Sequence, residues 1–480
     1  MARNIPEKMV KMKMLAEDTE GNGDYAKAES WHDERIAMAE VHTREEKEGW
    51  RVLWRAKKDY AQFTLCRGKD FLPKAKELLK DALRLKPDDA PSATLLIAVC
   101  AEIGDEDSCV FATDLFTSAG CGSDGMGGVL RALLHRIKGE AALQRRALRV
   151  AGESTESPFE GRKVVAACLD GAEFFVANSL VGIAEVCLEW AKEEEERVKG
   201  VCKVLTLPTG SVGELRAKGC LLKARVEFTL KQGEADMQLV TEAERRNKGG
   251  PGEPAAKLVA AEALAAKGDK DEALLKYIEC LDLLGLDIPY RVYVATFGLL
   301  WEEGRYEESR EVMFRAAKTK KYSSVWLNIA RCSLKLGYLD DAEDSLQESN
   351  GANTNDSKSW GLFSLVCLAS GESRLGEANE ALKQSLGLGV DDLEVLSELG
   401  GNFVAIDQFG QAEAIYLRSV EVCKEGGDVT GESKFLRLLG WVYECKREFG
   451  NAMKCYEDAK GKGGGANELD KLRSRLGSEL

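Results

Sequence analysis

Fourteen cysteines and three histidines are the residues of this 480-residue sequence best suited to metal ligation or nucleophilic chemistry. A zinc site needs Cys and His ligands at short, fixed spacing, commonly Cys-x2-Cys. No cysteine pair has that spacing, and His32, His42 and His135 lie in unrelated contexts. Most cysteines sit within apolar helical stretches, among them Cys100, Cys187, Cys332, Cys367 and Cys445. They read as small core hydrophobes of a protein kept in a reducing compartment. Cys168 and Cys187 are the nearest to nucleophile candidates, and replacing them is expected to disturb packing alone.

Gly120 to Gly125 formally matches G-x-G-x-x-G. Phosphate binding there needs a preceding strand and a helix opening directly on the loop; here a helix precedes and more glycines follow, so the segment reads as a loop. The sequence holds no G-x-x-x-x-G-K-[ST], H-E-x-x-H, G-x-S-x-G or EF-hand pattern. Carboxylates are plentiful but sit among basic partners on helix faces, and the acidic run Glu193 to Glu196 reads as a solvated face. The expectation is a non-enzyme with no cofactor and no metal.

The surrounding elements are helical. Ala, Leu, Glu, Lys and Arg dominate, proline is scarce at 9 residues, and alternating Val/Ile/Thr stretches are nearly absent, which predicts an all-α protein. A net charge of −14 without a long Lys/Arg run excludes a general nucleic-acid binder. No apolar run approaches the ~20 residues of a membrane span, and Met1 to Leu15 lacks the apolar core of a signal peptide. A soluble, intracellular protein is expected.

Length alone would predict about three domains, but the second half repeats itself. Small residues recur at Ala273, Ser309, Ala342, Ala378, Ala412 and Ala452, spaced by 36, 33, 36, 34 and 40. Four residues after each comes a large one: Tyr277, Met313, Leu346, Leu382, Tyr416 and Tyr456. Three further on comes a small one: Cys280, Ala316, Ser349, Ser385, Ser419 and Ala459. Upstream, Trp326 and Trp360 open two helices, and Gly400 and Gly440 each precede an aromatic, Phe403 and Tyr443, by three residues. This is the tetratricopeptide pattern, with a period of about 34.

Small residues at the eighth and twentieth positions are expected to let paired helices meet, with aromatics filling the space between pairs. One pair cannot bury its own apolar face, so pairs must stack into an α-solenoid of antiparallel hairpins. Two departures look like turn insertions: two residues within Gly371 to Ala378, and six within Gly426 to Gly431.

The predicted organisation is N-terminal repeats over 1–120, degenerate helical repeats over 121–247 and a Gly/Pro hinge at 248–254. A C-terminal array over 255–460 follows, then a linker and capping helix at 461–480. Within 121–247, Val164 to Arg197 reads as two helices and Leu215 to Arg245 as a pair around Gly233. Gly120 to Gly128 and Lys248 to Pro254 are predicted to interrupt the helices.

In such an array the first helix of each pair lines the concave face. That assigns Arg291, Trp301, Arg331, Lys335, Lys358, Arg437 and Trp441 to a groove suited to a peptide or helix of acidic or mixed charge. The Lys/Asn clamp by which some arrays hold acidic C-termini is not reproduced. Asn328 occupies a clamp position, but Val294, Gly298 and Leu362 stand where polar members belong, which disfavours a co-chaperone.

Several stretches go beyond a generic repeat: Leu15 to Ala28, Asp59 to Phe63 with the following KAKELLKDALRL, and above all Val325 to Leu368. The last carries Ala342-Glu343-Asp344, Leu346, Glu348-Ser349-Asn350, and Trp360 through Leu368. It resembles the C-terminal repeat half of the cilia- and flagella-associated protein seventy family. The family's β-rich N-terminal half has no counterpart in this sequence, and Cys121 to Asn247 does not match. The resemblance implies a structural component of the motile axoneme, in the central apparatus or dynein-bearing structures. Its partners would be other axonemal proteins in a large complex. A cytosolic adaptor for dynein-arm assembly or intraflagellar cargo is the alternative.

Overall fold

The computed structural model describes residues 5–46, 48–119, 125–150, 160–202, 210–231, 236–284 and 288–478. Twenty-five α-helices run through them, and among the described residues there is no strand. α1 (Ile5–Gly21) and α2 (Tyr25–Glu45) form the first hairpin. They are followed by α3 (Gly49–Cys66) with α4 (Leu72–Leu85), α5 (Ala90–Ile103) with α6 (Glu106–Ser118), and α7 (Gly125–Ile137) with α8 (Ala141–Val150). Next come α9 (Glu160–Ala177) with α10 (Val181–Cys202), α11 (Gly210–Leu230) with α12 (Met237–Asn247), and α13 (Glu253–Lys267) with α14 (Lys270–Leu284). α15 (Tyr290–Glu302) and α16 (Tyr306–Ala317) precede α17 (Ser323–Leu336) with α18 (Leu339–Ala352) and α19 (Ser357–Ala369) with α20 (Leu375–Gly387). α21 (Leu393–Ala405) with α22 (Phe409–Gly426) and α23 (Val429–Cys445) with α24 (Phe449–Gly461) complete the pairs, and α25 (Ala466–Ser478) closes the chain.

The molecule divides into two compact units, Met1–Val292 and Tyr293–Leu480, so the division falls inside α15 and the 248–254 segment lies within the first unit. That segment is a short connector: α12 ends at Asn247 and Pro254 already sits in the first turn of α13, where its missing N–H costs nothing.

Helix ends follow local chemistry. Asp356, Asp392 and Asp428 start α19, α21 and α23, each side chain accepting a backbone N–H of the first turn. α17 stops at Gly337, whose φ of 79° places it in the left-handed region that closes a helix.

Two sequence expectations are corrected here. Gly125 to Gly128 open α7 instead of interrupting the helices. A Cβ at Gly125 would lie 2.9 Å from that of Ala167 on α9, so glycine there serves a close helix approach. Gly120 to Asp124, like Gly233, lie outside the described residues. The Gly426–Gly431 insertion is not a long loop either. α22 and α23 are extended to 18 and 17 residues against 13 in α21, leaving a two-residue connector. The Gly371 insertion forms a 3-10 turn over Glu372–Arg374 ahead of α20.

The repeat anchors Ala342, Ala378, Ala412 and Ala452 are fully buried. The glycine at the eighth position meets the aromatic of its own repeat. A Cβ on Gly400 would stand 2.3 Å from Tyr416, and one on Gly440 2.6 Å from Tyr456. The aromatics therefore pack within a pair as well as between pairs; the Tyr416 ring also lies 6.3 Å from Phe435 on α23. Where the third small residue is serine, its hydroxyl is satisfied: Ser349 Oγ lies 2.9 Å from Ser323 Oγ and 2.7 Å from Ser359 Oγ, tying α17, α18 and α19.

Two predictions test this register. Gly400→Ala should lose about 1–2 kcal/mol of stability, because overpacking exceeds the gain in helix propensity. The adjacent Gly401→Ala, with nothing within 4 Å of its Cβ, should gain about 0.5–1 kcal/mol. Opposite signs in thermal melts check it. Ala342→Leu and Ala412→Leu should each cost roughly 1–3 kcal/mol by overpacking, and unchanged melting temperatures would count against the register.

Ion pairs join successive repeats in the second unit close to the starts of the second helices, at the hairpin turns. Arg310 lies 2.6 Å from Asp341, Arg374 2.6 Å from Glu343, and Lys446 2.5 Å from Glu413. The partners are 31, 31 and 33 residues apart, one repeat in each case.

In the first unit, buried His32 of α2 stacks on Tyr60 of α3 (centroids 5.0 Å apart, planes within 3°) and lies 4.9 Å from Phe63. One turn along, Arg35 is 2.8 Å from Asp59. Glu29 receives Arg67 and Lys74, each at 2.6 Å.

Candidate interaction surfaces

The seven groove residues read from sequence fall into separate groups. Trp301, Arg331 and Lys335 come together in the second unit: the Arg331 guanidinium lies 4.8 Å from the Trp301 ring centroid and Lys335 Nζ 5.9 Å. Arg331 Nη2 is 2.5 Å from Glu394, and Lys335 pairs with Glu398. Both carboxylates belong to α21, so the pairs span two repeats and pass over Leu362 of α19, with Leu334 and Val395 beside it. On this face first helices two repeats apart are bridged, whereas the pairs near the hairpin turns link adjacent repeats. The first helices therefore lie on the shorter, inner side of the stack.

Arg437 and Trp441 lie together at the C-terminal end, in a recess of about 410 Å³ shared with Glu444, Tyr456, Glu468 and Lys471. α25 supplies Glu468, whose carboxylate accepts from Arg437 Nε at 2.9 Å. Trp441 is 45% exposed and is the largest apolar side chain left open there. Lys358 stands apart, 3.4 Å from Asp391. Arg291 belongs to the first unit, 3.4 Å from Glu262. Each of the five cations thus already faces a carboxylate of its own chain, and around Trp301 the inner face of the second unit carries charges of both signs beside an indole. Asn328 is buried.

Of the cysteines read as core residues, Cys100, Cys187, Cys332 and Cys367 are buried, whereas Cys445, at the end of α23, is exposed, as is Cys66. Burial pushes Cys168 and Cys100 up to about 12 and Cys332 up to about 11, and Cys187 is raised well above its usual value for the same reason. The thiolate is the nucleophile, so these sulfurs stay protonated at neutral pH. Among the described residues no group of three or more His, Cys, Asp or Glu could hold a metal ion. No described helix is long and apolar enough to cross a membrane.

A further recess lies in the first unit, where sequence periodicity lost its register. A groove of about 870 Å³ runs between the α9–α10 and α11–α12 hairpins. Sequence reasoning missed it. Apolar periodicity marks the stripes carrying Leu188, Leu215 and Leu239, but not which part of a stripe stays uncovered.

The family models agree with the repeat architecture. The family model described as the cilia and flagella-associated protein 70 C-terminal domain matches residues 222–475. That of the middle tetratricopeptide-like domain of the same protein matches residues 12–152, so the family extends over 121–152 and 222–247, where the sequence reading found no match. No curated protein matches the sequence significantly. Among solved structures, similarity is found to a tetratricopeptide repeat protein from Parabacteroides merdae (13% identity, 53% of this chain and 96% of that one, TM-score 0.39). It is also found to the Cut9–Hcn1 hetero-tetramer of the APC/C (11%, 97% and 95%, 0.36) and to yeast Tom70 (11%, 98% and 96%, 0.33). With two domains of one family matched in order over most of its length, and hairpins stacked in the repeat register, the chain belongs to the cilia and flagella-associated protein 70 family of tetratricopeptide-repeat proteins.

Proposed function

We propose that this protein is a non-catalytic interaction scaffold of the axoneme of motile cilia and flagella, in the central apparatus or a dynein-associated structure. The observation that carries the reading is the pair of family matches, which together span both units of the chain. The structure supports it in kind: stacked hairpins, thiols held protonated by burial, and surfaces of mixed charge with open aromatics. Its partners are other axonemal proteins within a large complex, and the inner face around Trp301, Arg331 and Lys335 is one docking surface.

The test is to tag the protein in a ciliated cell and extract with detergent. Retention on axonemes, lost in cells without the central apparatus, is the expected result. Retention without that loss moves the scaffold to the doublets or arms. A wholly soluble pool overturns the reading in favour of a cytosolic assembly or cargo adaptor.

A narrower prediction concerns the inner face. Arg331→Glu should leave the helical fold intact, at a cost of about 1 kcal/mol or less for a partly exposed pair, and should reduce axonemal retention. Adding Glu394→Arg should restore the melting temperature by exchanging the two charges. A double variant no more stable than the single one would count against the pairing.

A further inference from the structure

We propose that the groove between the α9–α10 and α11–α12 hairpins binds an amphipathic α-helix of a partner protein. Most of its lining lies between the two stretches matched to the family, and none of it belongs to the inner face of the second unit.

The floor is aliphatic: Leu169 from α9, Leu188 and Ala191 from α10, Leu215 and Val226 from α11, and Leu239 from α12. It opens where two apolar clusters part. Leu188 and Leu215 lean on the cluster running through α9 and α10, and Leu239 on the one shared by α11, α12 and α13. Leu188, Leu215 and Leu239 stay half-buried, and covering such surface is the general driving force of association.

The lining decides what form the occupant takes. Among the described residues it contains no Ser, Thr, Asn or Gln side chain, and its walls are helices whose own backbones are satisfied. An extended peptide would bury N–H and C=O groups against leucines without partners. A helix brings its backbone bonds already made and presents a stripe of side chains at i, i+3, i+4 and i+7.

The rim decides its charge. Arg216 is neutralised by Glu195 at 2.7 Å and Arg246 by Glu242 at 2.6 Å. Glu185 and Glu189, one turn apart on α10, are exposed and make no ion pair with any described residue; the same holds for Lys192, further along α10, and for Lys223 on α11. The complementary helix carries basic residues opposite Glu185 and Glu189 and acidic residues opposite Lys192 and Lys223. Such pairs set orientation and register.

The experiment uses the full chain and a fluorescein-labelled helical peptide of about 16 residues, roughly 24 Å long, with a leucine stripe, lysines to meet Glu185 and Glu189, and glutamates to meet Lys192 and Lys223. Saturable anisotropy is expected, at least tenfold weaker for Leu188→Glu and for Leu239→Glu, and absent for a proline-interrupted peptide of the same composition. Because those leucines also pack, a second arm uses the exposed rim. Glu185→Lys with Glu189→Lys should weaken the original peptide severalfold and tighten one with glutamates in place of its lysines. No binding, equal binding of the interrupted peptide, or indifference to the rim reversal would overturn the proposal. So would competition of the peptide with self-association of the chain, which would assign the groove to a second copy.

Discussion

Phe403→Ala should be among the most damaging single changes in the second unit, costing about 3–5 kcal/mol. Phe403 is fully buried on α21, in the cluster with Leu399, Ala412, Ile415 and Tyr416. Removing its ring deletes the transfer energy of the side chain and leaves a cavity that helices on both sides cannot readily close. For a unit of this size the melting temperature should fall by roughly 10 °C. Each repeat leans on its neighbours, so hydrogen exchange should rise first in α21 to α24 and last in α17 and α18. Phe314→Ala is the control: that ring is 38% exposed, and its loss should cost about 1 kcal/mol or less. Equal losses for the two phenylalanines would contradict the packing described.

The second large effect is a loss of stability in mild acid, traced to His32. Burial, then the charge of Arg35, holds its imidazole down to about 4 from 6.5, against opposing pulls from Asp59 and Glu29 and a further push from Lys13. Its Nδ1 has no hydrogen-bond partner, so the protonated ring would gain no hydrogen bond there to offset its desolvation. The unfolded chain binds this proton more readily than the folded one. The contribution is therefore complete above about pH 6.5, declines as pH falls toward 4, and is gone below it. A depression of that size corresponds to something on the order of 3 kcal/mol. His32→Phe should keep the stack on Tyr60 and flatten the profile in this window. Parallel wild-type and variant profiles between pH 6.5 and 4 would rule the assignment out.

Much of the second unit is legible in its sequence because a repeat states its rule several times. The Ala342, Ala378, Ala412 and Ala452 series fixes where hairpins turn, and the large residue four places on marks what they enclose. The clash that a Cβ on Gly400 would make with Tyr416 is less legible, since it depends on two residues sixteen apart meeting face to face. Insertions mislead in a similar way. GGDVTG looks like a loop, yet its outer residues extend two helices, because Asp428 caps the second one as soon as the first has ended. The interaction surfaces were harder still. The cations of Arg331 and Lys335 are visible as residue types. Their partners Glu394 and Glu398 lie 63 residues on, where only the curvature of the stack brings them within reach. The groove between α10 and α11 has no sequence mark, because it is a place where packing stops.

The ion pairs that join successive hairpins at three of the four repeat steps of the second unit bear on mechanics. They join neighbouring hairpins near their turns, across the joint at which a solenoid flexes, so they resist its opening as tethers resist the opening of a hinge. Salt weakens such partly exposed tethers, the screening length falling from about 10 Å at 0.1 M to about 3 Å at 1 M, while the apolar core between the hairpins is left in place. The second unit should therefore behave as a spring whose bending stiffness is set by ionic strength, softening in concentrated salt without unfolding.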